Sequence, residues 1–359
     1  MIMKMFTTLL ISVLTLSSTY TVSLAWKVKT HEDLSGYAAD HSVLGKDNQN
    51  HLKYLGFAKG LQERLRLGRS KQTVKDWIKE GAELEDDGIK VTGRFRNHFH
   101  HPLKDWDEAG LNDLIFTGQS ALLWAQDSHA QTSAPSGDQS WETLRFFFLN
   151  ALTAADPMTR ERNYAKTFRG LGHQIHLLQD AAQPDHVRND AHIHDGTTGE
   201  RPRRPEWGLL FETWAGHDNQ KSLIESFAAH ADFPQVYLNL SIPDELVPIS
   251  QFLDTNTYNG SFPSSRLTQG IAEYTNANFF SDDTIFSADE RPPEHRHYFP
   301  YPNIASTNLQ DYTDGHLLPK TTTAEDRVED ISFWISKTGD GDYIEHFVKP
   351  TYLSKGSIR

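Results

Sequence analysis

The stretch Gly172 to His186, Gly-His-Gln-Ile-His-Leu-Leu-Gln-Asp-Ala-Ala-Gln-Pro-Asp-His, constrains this chain more than any other. It sets His176, Asp180 and His186 in the order imidazole, carboxylate, imidazole. His176 and Asp180 are four residues apart, so on a helix they share a face, one turn above the other. Pro184 has no N–H and pushes its predecessor out of the α region, so the helix is expected to break there and turn His186 back. Two nitrogens and a hard oxygen suit zinc. Upstream, Tyr164, Phe168, Leu171, Ile175 and Leu178 recur at spacings of four and three, the apolar stripe of an amphipathic helix. His173, His176 and Asp180 fall on the opposite side, which is either a solvated polar face or the wall of a metal site.

Residues 1–25 have the form of an export signal. Lys4 is their one charge, Phe6 to Leu16 is a short apolar run, and Ser23-Leu24-Ala25 fits a small-residue cleavage site. The run is too short for a transmembrane anchor; the other reading is a buried amino-terminal helix. Cleavage after Ala25 predicts a secreted or periplasmic protein that begins at Trp26. The net charge of −13 gives no long-range attraction to nucleic acid or to anionic membranes. With no cysteine among 359 residues, an exported chain has no disulfide framework. Bound metal would then supply part of the missing stability.

The periodicity predicts a mostly helical chain, an all-α fold with one multi-helix domain over residues 26–285. Val74, Trp77, Ile78 and Ala82 follow helical spacing within Lys71 to Leu84, and Ser140 is placed to cap a helix over Trp141 to Ala155. Ala121 to Gln126, Leu223 to Ala229 and Leu267 to Phe280 also have helical character. Ser128 to Gln139, Asp190 to Glu206 and Arg291 to Asn303 are expected loops. Residues 286–359 form a short mixed extension, in which Ile331 to Ile335 and Tyr343 to Val348 suit strands or short helices. No glycine-rich phosphate loop, Gly-x-Ser-x-Gly elbow or His-Glu-x-x-His is present.

Four other places carry ligand-type residues. A freed Trp26 would offer its α-amine and carbonyl, with His31 five residues on; the alternative is a frayed terminus with a surface histidine. Glu83, Glu85, Asp86 and Asp87 close a helix whose dipole they oppose, so they need a compensating cation unless the turn is simply solvated. Asn97-His98-Phe99-His100-His101 holds three histidines that are either ligands or a polar loop. Glu212 lies among Phe211, Thr213 and Trp214, where burial would demand a partner.

Taken in order, Trp26-x4-His31, the acidic turn at Asp86, Asn97-His98-Phe99 and His176-x3-Asp180-x5-His186 with Gln183-Pro184 resemble the three-zinc superfamily. That superfamily joins zinc-dependent phospholipases C and single-strand-specific secreted nucleases. The matching segments run from residue 26 to about 214. The step from Trp26 to His31 is more similar to the nuclease branch, and the His98-Phe99 segment to the phospholipase branch. Past residue 216, Glu273-Tyr274-x-Asn276-Ala277-Asn278-Phe279-Phe280-Ser281 is similar to bacterial members, and no function is carried from it.

The resemblance implies a trinuclear zinc site. Asp86, His98, His176 and Asp180 would hold one zinc, with Asp87 the alternative to Asp86. Trp26, His31 and the other oxygen of Asp180 would hold a second. His186 and Glu212 would hold a third. Members complete that third site with a histidine four residues before the glutamate, which here is Gly208, so His192 is taken as the substitute and His194 as its runner-up. His100, His101 and His173 are taken as supporting residues.

The implied reaction is phosphodiester hydrolysis by a hydroxide bridging two zincs, with Asp86 able to accept a proton and the third zinc steadying the leaving oxygen. A phospholipid, split as by phospholipase C, is the first-choice substrate, with peripheral membrane contact and no transmembrane anchor. A head group needs only a small pocket, whereas a nuclease favours basic residues and stacking aromatics. Arg201, Arg203 and Arg204 keep single-stranded nucleic acid and 3′-nucleotides as the alternative. A secreted metal-binding protein without catalysis is the third reading, supported by Gly208.

Overall fold

The computed structural model describes residues 28–46, 50–86, 93–112, 116–189, 252–256, 258 and 270–278, together with four strands between 310 and 345. These residues are mostly helical, with a small two-stranded sheet within the helical part. Helix α1 spans Val28–His41 and α2 His51–Tyr54. A hairpin follows, β1 Arg64–Leu67 against β2 Ser70–Thr73, with Leu67 opposite Ser70. Gly68 takes φ +60° at the first loop position, where other residues would be strained. The alternation Arg64-Leu65-Arg66-Leu67 before a glycine is the sequence signal of this hairpin, which the helical periodicity passes over.

Helix α3, Val74–Leu84, begins in a capping box: Thr73 Oγ1 accepts from the Asp76 amide while the Asp76 carboxylate accepts from the Thr73 backbone N–H. Its Val74, Trp77, Ile78, Gly81 and Ala82 are buried, and Trp77 Nε1 donates to Leu65 O at 3.0 Å, which locks the hairpin onto the helix. The short helices α4, Ala121–Trp124, and α5, Ser128–Gln131, follow. Helix α6, Trp141–Thr153, starts at Ser140, whose hydroxyl accepts from the Thr143 amide as the capping pattern predicts.

Helix α7, Pro157–Asp180, is the spine of the molecule. Its 24 residues span about 36 Å at 1.5 Å per residue. Asp156 caps it and Pro157 occupies the first turn, where a missing N–H costs no hydrogen bond. The helix packs against α3, α6, β1 and α1. Tyr164 and Phe168 join Trp77, Ile78, Leu65 and Phe57 in the main apolar core. The helix ends at Asp180, and the chain turns through residues 181–189, so the break comes ahead of Gln183, whose backbone N–H donates to Asp180 O.

The α3–α7 crossing is backbone against backbone. A Cβ on Gly81 would lie 1.8 Å from Arg169 O, and one on Gly172 2.0 Å from Ile78 O. Only glycine fits either position. One turn past this crossing, α7 presents His176 and Asp180 to the end of α3.

Helix α8, Ile271–Asn278, lies within the predicted run Leu267 to Phe280. Farther on, β3 Gln310–Tyr312, β4 Gly315–Lys320, β5 Ile331–Thr338 and β6 Gly341–Glu345 form an antiparallel sheet in that order. The two ambiguous C-terminal stretches, Ile331 to Ile335 and Tyr343 to Val348, therefore contain strand. No helix among the described residues is long and apolar enough to cross a membrane. The signal segment 1–25 and the Leu223 to Ala229 run lie outside the described residues.

Candidate metal centre

Five of the expected ligands come together at the carboxyl ends of α3 and α7, all from different turns or segments. His31 comes from α1, Asp86 from the turn after α3, His98 from the loop after a 3₁₀ turn at Arg94–Asn97, and His176 and Asp180 from α7. All are buried, with His31, His176 and Asp180 at 0% exposure. The polar side of α7 is thus interior rather than solvated, because α1 and α3 close over it.

Asp180 sits at the middle. Its Oδ1 lies 3.3 Å from His31 Nε2, and its Oδ2 lies 2.9 Å from His98 Nδ1 and 3.1 Å from His176 Nε2. Asp86 Oδ1 is 3.6 Å from both His98 Nδ1 and His176 Nε2. His186 Nδ1 lies 3.7 Å from Asp180 Oδ2, at the edge of the group. Two sets have ligand atoms all within 4.8 Å of one another: His31 with His176 and Asp180, and Asp86 with His98 and His176.

These side chains are oriented from behind. His176 Nδ1 meets Ala82 O at 2.6 Å, and since a carbonyl only accepts, Nδ1 carries the proton and Nε2 turns its lone pair inward. His31 Nδ1 meets Gln179 Oε1 at 2.6 Å while Gln179 Nε2 donates to Ser35 Oγ at 3.0 Å, so α1 and α7 fix that ring together. His186 Nδ1 is held by His98 O at 3.2 Å, and its ring stacks on Phe99. A histidine whose far nitrogen is pinned by an oxygen is the usual arrangement around a bound metal.

The inward atoms have no ordinary partner. His31 Nε2, His176 Nε2, His98 Nδ1 and both carboxylate oxygens of Asp86 and Asp180 are buried without a hydrogen bond of proper geometry. Carboxylates and imidazole lone pairs crowded this closely repel unless a positive charge lies among them, which a proton on His98 or a metal ion held by the group would supply. Two ligand atoms about 2.0–2.1 Å from one zinc at a tetrahedral angle are about 3.3 Å apart. The separations of 2.9–3.6 Å from His31, His98 and His176 to the Asp86 and Asp180 oxygens bracket that value. The donor set therefore fits a metal ion in size and chemistry.

Electrostatics divides adjacent residues. Burial would raise Glu85, but the Arg94 charge, the hydrogen bond from His173 and the nearby His98 ring hold it well below the usual carboxylate range. Arg94 Nε donates to Glu85 Oε2 at 2.7 Å, His173 Nδ1 to the same oxygen at 2.5 Å, and Trp124 Nε1 to Oε1 at 2.8 Å. Burial keeps His173 neutral by lowering it to about 4, against the pull of Glu85. Asp86 has no such partner: burial pushes it up to about 7, opposed by His98 and His31. Burial alone would lower His98, yet Asp180, Glu85 and Asp86 around it raise it to about 10. Asp180 is held well below its ordinary value by His176, His186, His98 and His31, which together overcome burial.

Arg94 is the compensating cation demanded by the acidic end of α3. Sequence reasoning singled out the acids and missed this arginine, nine residues from Glu85. It also missed Gln179, whose place beside Asp180 on α7 was the available signal. Of the supporting histidines, His173 binds Glu85, His100 bridges Ser120 and Asp254, and His101 Nδ1 accepts from the Leu103 amide. Trp26, Asp87, His192, His194, Arg201, Arg203, Arg204, Gly208 and Glu212 lie outside the described residues. Comparison with protein-family models, characterised proteins and solved structures finds no match.

Proposed function

We propose that the buried cluster binds zinc and that the protein is an exported zinc-dependent phosphodiester hydrolase, acting on phospholipid in the manner of phospholipase C. The observation that carries this reading is the convergence of three imidazole nitrogens and four carboxylate oxygens, buried without hydrogen bonds, at spacings suited to shared coordination. The resemblance of the ordered motifs to the three-zinc superfamily supplies the reaction class. It also extends the site to the Trp26 amine beside His31, and to Glu212 and His192 beside His186.

Bound zinc would supply a coordinated water of lowered pKa and neutralise charge on the phosphoryl oxygens. The chain's own residues do the rest. Asp180 presents one oxygen to His31 and the other to His98 and His176, which is the arrangement a carboxylate needs to serve two ions. Asp86 is the group placed to take up a proton, at Oδ1 or Oδ2, because burial holds its carboxyl near neutrality. Gln179 and the Ala82 carbonyl keep the His31 and His176 rings from turning.

The test is metal analysis and activity on one preparation whose N-terminal residue has been identified. Close to three zinc ions per chain and choline phosphate release from phosphatidylcholine, both lost on chelation, are the expected results. Turnover of single-stranded DNA or 3′-nucleotides alone would replace the lipid by nucleic acid. Zinc-loaded protein inactive on these and on bis-nitrophenyl phosphate would leave a metal-binding protein without catalysis.

A further inference from the structure

The arms that carry His98 and His186 are tied to each other. His100 N donates to His186 O at 2.9 Å, and His186 Nδ1 to His98 O at 3.2 Å. Both arms lie beyond the helix ends: Arg94 anchors the base of the first to Glu85, and Gln183 N donates to Asp180 O at the base of the second. A segment more than sixty residues later holds their far ends. Asp254 Oδ2 accepts from His100 Nε2 at 2.8 Å and from Trp106 Nε1 at 2.9 Å, while its Oδ1 accepts from the Asn256 amide at 2.7 Å. On the other arm, Asn276 Nδ2 donates to Val187 O at 2.7 Å, and Arg188 Nη2 returns a hydrogen bond to Asn276 O. Glu273 ties the two holders together by accepting from Thr255 Oγ1 at 2.8 Å, the Tyr258 amide at 3.2 Å and the Gly270 amide at 2.6 Å. Asp254, Glu273, Asn276 and His100 are at most 1% exposed.

We infer that residues 252–258 and α8 form a brace, in which Asp254 and Asn276 are positioning residues that set where the His98 and His186 arms stand against Asp180. The inference rests on the zinc reading above and gives Glu273 and Asn276 a task that the family resemblance does not assign. Asp254 lies two hydrogen bonds from the cluster, through His100 and the His100–His186 backbone link. Asn276 reaches the residue next to His186. Neither side chain reaches the cluster, so both act through the ligands. Buried partners that orient metal ligands from behind typically change metal affinity 10–100-fold when removed. The brace is strongly specified: the Asp254 carboxylate accepts three N–H groups, which an amide of the same shape cannot do, because its NH₂ would face a donor.

The experiment uses the full chain with zinc as the probe. Zinc affinity is measured by competition with a chromophoric chelator, the cobalt(II)-substituted protein gives the visible spectrum, and thermal unfolding is followed with chelator present. Asp254→Asn and Asn276→Ala are each expected to weaken zinc binding 10–100-fold and to alter the cobalt bands. Unchanged zinc affinity and cobalt spectrum in both variants, whatever their melting temperatures, overturn the brace as a positioning device. His176→Ala separates the two ideas. If it loses zinc while the brace variants do not, the brace alone fails; if it keeps full zinc affinity, the zinc reading fails and the brace with it. Thr255→Val, which removes one hydrogen bond to Glu273, replaces either brace variant that does not fold. It is expected to lower affinity by a smaller factor, and no change in it overturns the inference.

Discussion

The carboxylates of Glu85 and Asp86, neighbours in the chain, flank one imidazole: Glu85 Oε1 lies 3.7 Å from His98 Nε2, and Asp86 Oδ1 lies 3.6 Å from His98 Nδ1. The two acids nevertheless do different work. Glu85 is neutralised by Arg94 and becomes part of the scaffold, while Asp86 faces His98 and His176 in the cluster without a hydrogen bond. One helix end thus supplies both a wall and a ligand-type group.

Breaking the wall is expected to be expensive. Glu85→Gln leaves the fully buried Arg94 without its anion, a change that typically costs about 3–5 kcal/mol. Urea unfolding of Glu85→Gln, Arg94→Met and the double variant measures it. The double variant is expected to lose less than the sum of the singles. Additive losses would show that the pair does not act as one unit.

The metal-free protein has a defined pH response. His98 is held at about 10 in the fold and titrates near 6.5 when unfolded, so its stabilising effect is complete below pH 6.5 and is lost as pH rises through 10. Between pH 7 and 9 the chelated protein is therefore expected to lose stability. Asp86, raised to about 7, acts in the same direction at lower pH, while His173, held at about 4, contributes in the opposite sense only below about pH 6.5. Melting temperatures of chelated protein across pH 7–9 check this, and a rise over that range contradicts it.

Zinc uptake must displace the proton that His98 carries at neutral pH. Titration calorimetry in buffers of different ionisation enthalpy is expected to show net proton release at pH 7. Saturating zinc at about 100 times its dissociation constant should add about 2.7 kcal/mol of stability. Absence of proton release would mean that His98 takes no part in binding.

Gly172→Ala tests the helix crossing. Its Cβ would meet Ile78 O at 2.0 Å, so α3 and α7 must separate, and overpacking of this kind costs about 1–3 kcal/mol. Zinc affinity is expected to fall as well, since separation stretches the His176–Ala82 bond. Gly137→Ala is the comparison: its added carbon meets nothing, though its φ of +73° carries backbone strain. A Gly172→Ala protein with unchanged stability and metal affinity would sink the claim that the crossing sets the site.

How far the sequence revealed this arrangement depended on the range of each interaction. His176 and Asp180 were legible because helical spacing is local and their four-residue step has one geometric meaning. The cap at Ser140 is local too, and the Thr73–Asp76 capping box before α3, equally local, was passed over. The hairpin at Arg64–Thr73 was hidden because its strands are four residues each, too short to outweigh the helical pattern around them. Arg94 with Glu85, and Asp254 with His100, were illegible because no periodicity links residues from separate loops. The burial of the polar side of α7 was undecidable for the same reason: α1 covers it through His31 and Ser35 on Gln179, contacts 148 and 144 residues apart in the chain.

The Gly81–Gly172 contact has a consequence for how such chains can diverge. An added carbon at either glycine must displace a partner carbonyl, and any sliding of α7 that made room would carry His176 off the Ala82 oxygen. Drift at these two sites is therefore expected to be concerted or forbidden. A descendant that lost either glycine would be expected to have abandoned the imidazole at 176 as well.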